Sequence, residues 1–278
     1  MIISVASGKG GTGKTTVAVS LALSLGNDIQ FLDCDVEEPN AHIFLKPKIT
    51  RIQSINVLIP QVDEEKCTYC GKCAEVCSYN AIAVIKKKVL FFPELCHHCG
   101  GCSLLCPQKA IEEVPREKGI VEEGRAGSIH FLHGRLTVGE AVSPPLIRAV
   151  KKFARKDKTT IIDAPPGTSC PVIEAVKGSD FCVLVTEPTP FGLNDLTLAV
   201  GMVRELKIPL GVVINRADLG DKKVEEYCYK EKIPILMEIP MDKEIAIAYS
   251  NGVPLVERKP GYKEKFKKLY QKIIEERG

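Results

Sequence analysis

The segment that most narrows the possible folds is Gly8-Lys9-Gly10-Gly11-Thr12-Gly13-Lys14-Thr15, set between an apolar run at Ile2–Ala6 and a helix-length stretch at Thr15–Leu25. It matches G-x-x-x-x-G-K-[ST], a glycine loop that joins a strand to a helix. Backbone N–H groups of such a loop wrap a β-phosphate, and the helix N-terminus adds its dipole. Lys14 supplies charge to the β- and γ-phosphates, and the Thr15 hydroxyl suits Mg²⁺. A chance glycine turn is the alternative, and the strand and helix on either side argue against it. The expected phosphate contacts are Gly8, Lys9, Gly10, Gly11, Thr12, Gly13, Lys14, Thr15 and Thr16.

The rest of the chain keeps the same rhythm. Ile29–Leu32, Thr160–Ile162, Phe181–Val185, Leu210–Ile214 and Ile235–Ile239 are short apolar runs separated by helical lengths. Their hydrophobicity is continuous rather than alternating, which predicts strands covered on both faces, as in a parallel sheet. The expected fold class is therefore α/β, a doubly wound and mostly parallel sheet with its ligand at the carboxyl ends of the strands. Between Gln61 and Val114 the rhythm stops, and eight of the 12 cysteines fall there. We expect a P-loop domain over 1–60 and 115–278, with a small α+β unit inserted at 61–114. Gly119–Gly139 offers only short strand-like pieces, and Pro144–Phe153 reads as a helix opened by proline.

Net charge is +3, from 38 basic and 35 acidic residues, which argues against a nucleic-acid partner. No apolar run approaches the ~20 residues that a bilayer requires. Met1 leads straight into the first strand-like run without a signal-peptide pattern, so a cytoplasmic setting is expected. In a reducing compartment the cysteines point to metal rather than to disulfides.

Their spacing is specific. Cys67-x₂-Cys70-x₂-Cys73-x₃-Cys77 is followed by Cys96-x₂-Cys99-x₂-Cys102-x₃-Cys106-Pro107. Three close thiolates can cap one face of a cubane, and the fourth corner needs a cysteine from elsewhere. A twofold array solves this by exchange, each fourth cysteine ligating the other cluster. Cys67, Cys70, Cys73 and Cys106 are thus expected to hold one [4Fe–4S] cluster, and Cys96, Cys99, Cys102 and Cys77 the second. Zinc knuckles are the alternative, but this double array is not a zinc spacing. The segment resembles bacterial-type two-cluster ferredoxins, including Ala81-Ile82 and Ala110-Ile111 after each fourth cysteine; Ser78 stands where proline is usual. His97 and His98 lie inside the second motif and read as loop residues. Cys34, Cys182 and Cys228 read as core thiols.

Lys9 makes the glycine loop more particular. G-K-G-G-T-G-K-T-T resembles the deviant Walker loop of the MinD/ParA/Mrp and nitrogenase-iron-protein class of ATPases, and further motifs extend the resemblance over most of the chain. It implies that Lys9 reaches across a homodimer to the partner's nucleotide. Phe31-Leu32-Asp33-Cys34-Asp35 is similar to switch I, which implies that Asp35 orients the attacking water. Thr160–Gly167 is similar to Walker B and switch II, which places Asp163 near Mg²⁺. The implied catalytic residues are Lys9, Lys14, Asp35 and Asp163, and the implied Mg²⁺ ligands are Thr15, Asp35 and Asp163. Ile214-Asn215-Arg216-Ala217-Asp218 resembles the adenine segment, with Asn215 and Arg216 at the base; Pro240 and Asp242 resemble its second piece. Cys170 stands where relatives of the nitrogenase iron protein carry a cysteine shared across the dimer axis. A thiol that faces its twin and a small buried residue are equally good readings of it.

Tyr262–Ile274 places Tyr262, Phe266, Leu269, Tyr270 and Ile273 on one face and five lysines elsewhere. The stripe suits packing on the chain's own sheet better than an amphipathic membrane anchor, because Glu264, Glu275 and Glu276 dilute the charge. Taken together, the resemblance implies an ATP- and Mg²⁺-dependent ATPase with two [4Fe–4S] clusters. Its expected work is assembly or transfer of an iron–sulfur or related metallocluster. The alternatives are an ATP-gated reductase serving a redox partner and a MinD/ParA-type positioning ATPase.

Overall fold

The computed structural model describes residues 1–155 and 157–277. Its main sheet has nine strands among the described residues, in the order β11-β10-β9-β1-β8-β2-β7-β6-β3. The strands are β1 (Ile2–Ser7), β2 (Ile29–Asp33), β3 (Lys48–Val62), β6 (Ile111–Ala126), β7 (Ile129–Leu136), β8 (Thr159–Pro166), β9 (Phe181–Thr186), β10 (Leu210–Asn215) and β11 (Ile235–Ile239). A separate hairpin pairs β4 (Ile82–Ile85) with β5 (Lys88–Phe91). From β11 through β7 all neighbours are parallel; β6 is antiparallel to β7, and β3 to β6. The apolar runs explain the parallel part, since β1, β2 and β9 are buried along nearly their whole length between two layers.

Two cores lie on opposite faces of this sheet. On one, α1 (Lys14–Leu25) packs with α2 (Ala41–Leu45), α10 (Leu255–Arg258) and α11 (Tyr262–Glu276). On the other lie α5 (Pro144–Lys151), α6 (Cys170–Val176), α7 (Pro190–Glu205) and α8 (Lys223–Lys230). Helix α1 is apolar nearly all round because the sheet covers one side and α11 the other. Tyr262, Phe266, Leu269 and Ile273 of α11 are buried in that core, and Phe266 has no exposed surface. The stripe read from the sequence is thus spent on the chain itself. No helix among the described residues is long and apolar enough to cross a membrane.

The region that reads in sequence as short pieces is a long ribbon instead. β3 and β6 pair antiparallel from Lys48–Arg125 at one end to Val62–Ile111 at the other. Helical and strand periods fail there because most of β3 is exposed at the sheet edge, where charges such as Lys48 and Arg51 suit solvent. The cysteine motifs lie between the far ends of this ribbon, with α3 (Lys72–Val76), α4 (Gly101–Leu104) and the β4–β5 hairpin; α9 (Lys243–Ser250) lies beside the nucleotide cleft.

Candidate functional site

Strand register gathers the expected residues. Asp33 on β2 and Asp163 on β8 are paired neighbours, and Asp163 lies opposite Val5 of β1, three residues before Gly8 opens the loop. The loop Gly8–Gly13 therefore opens beside two carboxylates at the carboxyl end of the sheet. Asn215 on β10 is level with Ile239 of β11, which brings Pro240 and Asp242 alongside it. Asn215, Pro240 and Asp242 border a cavity of about 450 Å³, lined also by Gly10, Gly11, Gly13, Lys14, Thr15, Thr16 and Asp35. That volume lies within the range of small-molecule and cofactor pockets.

Inside it, the Lys14 ammonium is buried between Asp163 Oδ1 at 3.2 Å and Asp35 Oδ2 at 3.5 Å. Burial lowers its pKa, and the charges of Asp163, Asp35 and Asp33 more than reverse this, so the ammonium is held protonated. Thr15 Oγ1 donates to Asp163 Oδ2 at 2.6 Å. Burial lifts Asp35 to about 6, with Lys14 opposing the rise. Asn215 Nδ2 donates to the Thr12 carbonyl at 2.8 Å. Gly13 sits at φ +90, and a Cβ there would lie 2.4 Å from the same Asn215 Nδ2. Asp242 caps α9 by accepting from Glu244 N at 2.8 Å and also pairs with Lys259.

Lys9 points to a partner within its own chain, Glu187 Oε2 at 3.6 Å, and Glu187 Oε1 holds Arg216 at 2.7 Å. Glu187 was not among the expected residues, yet the signal that flags Asp35 and Asp163 applies to it: an acid just beyond a buried strand. Asp33 was likewise passed over. It is fully buried, accepts from Asp35 N and Ala41 N, and so shapes the loop that carries Asp35. Burial, with the charge of Asp163, holds its carboxyl well above the usual range. Asp218 Oδ1 accepts from Met241 N at 2.6 Å and ties the two pieces of the Asn215 side together.

The two cysteine motifs repeat in backbone detail. Tyr69 N donates to Cys67 Sγ as His98 N does to Cys96 Sγ, and Ala81 N to Cys77 Sγ as Ala110 N does to Cys106 Sγ. Tyr69 and His98, and again Asn80 and Lys109, share positive φ. Cys67, Cys70, Cys73 and Cys106 line a single cavity with Val62, Val84 and Ile111 among its walls. Burial pushes the Cys73, Cys96 and Cys102 thiols up; Cys67 and Cys70 add at Cys73, and Cys99 and Cys77 at Cys96. Among the described residues no three His, Cys, Asp or Glu side chains converge as on a single metal ion. Cys34, Cys182 and Cys228 are buried core thiols. Cys170 is exposed as the first residue of α6, which removes the reading of it as a small buried residue.

The nucleotide-binding domain model described as CobQ/CobB/MinD/ParA matches residues 3–255. The chain belongs to this family. It is a P-loop ATPase with an α/β fold. An uncharacterised protein of Methanocaldococcus jannaschii is 34% identical, over 99% of this chain and 97% of its own length. Proteins named iron–sulfur cluster carrier protein are similar at lower identity. That of Aquifex aeolicus is 27% identical over 92% of this chain and 61% of its own length. That of Pyrococcus horikoshii is 25% identical over 98% and 85%. Among solved structures, the septum site-determining protein MinD of Pyrococcus horikoshii with Mg-ADP superposes with a TM-score of 0.61 at 20% identity, over 98% of this chain and 95% of its own. That likeness concerns the fold.

Proposed function

We propose that this ATPase couples its nucleotide switch to the assembly or transfer of an iron–sulfur or related metallocluster, and carries two resident [4Fe–4S] clusters in a ferredoxin-like insert at 61–114. The observation that carries the reading is the cavity lined by Cys67, Cys70, Cys73 and Cys106, three thiols of one motif and the fourth of the other. It fits the crossed ligand set, and Cys96, Cys99, Cys102 and Cys77 make up the complementary set. A bound cluster stores and passes single electrons. Relatives named as iron–sulfur cluster carriers support the same direction.

At the nucleotide end, Lys14 and the loop N–H groups bind the β- and γ-phosphates, while Thr15, Asp35 and Asp163 hold Mg²⁺. Asp35 positions the attacking water, and Asn215, Arg216, Pro240 and Asp242 surround the base. Lys9, on leaving Glu187, reaches the nucleotide of a second copy in a homodimer. Mg²⁺ and phosphate add charges that compete for Lys14 and Asp163, so the loop after Asp35 differs between nucleotide states. That loop is wired to the rest of the chain: the Val36 carbonyl accepts from Leu136 N at 2.9 Å, and α2 leads from it into β3, one arm of the ribbon that bears the cysteines. Exposed Cys170, at the head of α6 just beyond Asp163, supplies the thiol that meets metal outside the insert.

A second reading, an ATP-gated reductase, draws on the complete pairing of eight cysteines into two four-thiol sets, which suits resident rather than departing clusters. A positioning ATPase held on a membrane by its last helix loses support, because the apolar face of α11 is already buried. Anaerobic protein loaded with labelled iron, mixed with an apo acceptor, separates the first two. Label that moves to the acceptor only with Mg-ATP, and not in Lys14→Ala, supports transfer. Label that stays while the clusters change oxidation state with ATP and a redox partner supports the reductase instead.

A further inference from the structure

The two cysteine motifs share a spacing and a backbone, so each residue of the second has a counterpart in the first. Outside the thiols they differ in one direction. At the first motif Lys66 pairs with Asp63 at 2.7 Å, and Lys72 with Glu75 at 3.1 Å. The counterparts of these four are Leu95, Phe92, Gly101 and Leu104, so neither ion pair has an equivalent. Thr68 follows Cys67 where His97 follows Cys96, and Gln108 stands two residues past Cys106 as Tyr79 does past Cys77. The rings of Tyr79 and His97 stack, with centroids 3.5 Å apart and planes 7° apart.

Leu95, His97, Leu104 and Tyr79 are exposed, and so are their polar counterparts Lys66, Thr68, Glu75 and Gln108. A single exposed leucine needs no explanation. Here the repeat supplies the comparison: one backbone facing water carries polar groups at the first motif and apolar or aromatic ones at the second. Contacts gather the latter. The Tyr79–His97 stack joins the segments of Cys77 and Cys96, Phe92 N donates to the Ala81 carbonyl, and Leu95 N to the Phe92 carbonyl. Acids edge this face. Glu94 adjoins Leu95, and the Glu113 carboxylate lies 3.2 Å from where a Cβ on Gly100 would stand; both are exposed. Arg116, further along β6, is taken by Glu140 at 2.7 Å. The run Lys86–Lys88 lies instead at the turn of the β4–β5 hairpin, whose Val84 and Val89 line the cavity of the first set.

We propose that the face formed by Tyr79, Leu95, His97 and Leu104 docks a one-electron carrier protein whose contact patch is apolar and ringed by Lys or Arg. One electron passes between the carrier's centre and the cluster held by Cys96, Cys99, Cys102 and Cys77; one is oxidised as the other is reduced, and no bond is made or broken. An apolar, aromatic centre within a polar rim is the anatomy of a protein interface. Electron-carrier encounters are small, which suits a patch of a few side chains. The acidic edge steers a basic partner. It opposes a second copy of this chain, which would bring the same carboxylates against it, and an anionic membrane surface. This rests on the resident clusters and crossed ligand sets of the proposed function.

The probe is ferricytochrome c, a basic one-electron carrier, mixed with full-length anaerobic protein whose clusters have been reduced and freed of reductant. Stopped-flow absorbance reads the second-order rate at low and high salt. Leu95→Lys with Leu104→Glu gives the second motif the residues with which the first already folds, at no change in net charge. This pair should slow the reaction roughly tenfold, as loss of an apolar contact at an interface centre does. The mirror pair, Lys66→Leu with Glu75→Leu, should leave the rate in place. Glu94→Gln with Glu113→Gln should slow it at low salt and flatten its salt dependence. Iron content and ATP hydrolysis stay at wild-type values throughout. An unchanged rate in the leucine pair, equal slowing by the mirror pair, or a salt dependence that the glutamine variants leave intact overturns the proposal. Self-association that the leucine pair abolishes assigns the face to a second copy and overturns it too. The glutamine variants decide alone if the leucine pair loses iron. Wild-type protein with fewer than eight irons overturns the cluster reading and this inference with it; eight irons with unaffected rates overturn this inference alone.

Discussion

Gly13→Ala tests the geometry of the nucleotide cleft without touching a charged group. Two penalties follow from the structure. A residue with a Cβ at φ +90 loses roughly 1–2 kcal/mol relative to glycine. The new Cβ would also lie 2.4 Å from Asn215 Nδ2, so the amide must withdraw from the Thr12 carbonyl it holds at 2.8 Å. Losing that hydrogen bond costs about 0.5–1.5 kcal/mol. The sum, about 1.5–3.5 kcal/mol, corresponds to a fall in Tm of roughly 3–6 °C for a chain of this size. Nucleotide affinity should drop in parallel, since the N–H groups that face phosphate are those of the displaced turn. Thermal unfolding with and without Mg-ADP reads both effects. The decisive comparison uses Asn215→Ala. In that background the clash is gone and only the backbone penalty remains, so the double variant should be less destabilised than the sum of the singles by about 1 kcal/mol. Strict additivity, or an unchanged Tm for Gly13→Ala, would refute the packing of Asn215 against the loop.

Lys14→Ala should abolish ATP hydrolysis while iron content stays near the wild-type value; retained turnover in a phosphate-release assay contradicts the assigned site. Cys77→Ala should cost the second cluster and Cys106→Ala the first, read as loss of one spectroscopic signal each; the reverse pattern overturns the crossed ligation. Burial lifts Asp35 from the usual carboxylate value to about 6. Between those two pH values the native state binds more protons than the unfolded chain, so Asp35 makes the nucleotide-free protein lose stability as pH rises through about 6. Asp35→Asn should flatten that part of the profile, by at most ~3 kcal/mol between pH 4 and 7; parallel Tm-against-pH curves would refute it.

How much of this was legible in the sequence depended on the range of the signal. The glycine loop, the apolar strands and the cysteine spacings are local patterns, each fixed by the chemistry of a few consecutive residues. They placed the cleft and named Lys14, Thr15, Asp35 and Asn215, which the structure gathers around one cavity, and Asp163, which holds Lys14 and Thr15 from behind it. The stripe of α11 was legible for the same reason, and Phe266 is buried as the period requires. The β3–β6 ribbon was not. Its β3 strand lies at an edge and is wet along most of its length, so neither period marks it. Glu187 was missed because its place arises from pairing between distant segments, which no local pattern announces. The exposure of Cys170 is not legible in the sequence, because it depends on what packs over α6.

The central claim is a P-loop ATPase that carries two four-iron clusters on crossed cysteine sets. Iron and acid-labile sulfide, counted together with zinc on protein purified and reconstituted without oxygen, test it most directly. The account predicts eight irons and eight sulfides per chain, no stoichiometric zinc, and four of each in both Cys77→Ala and Cys106→Ala. Zinc at two per chain with no sulfide, or iron unchanged in either variant, would contradict it.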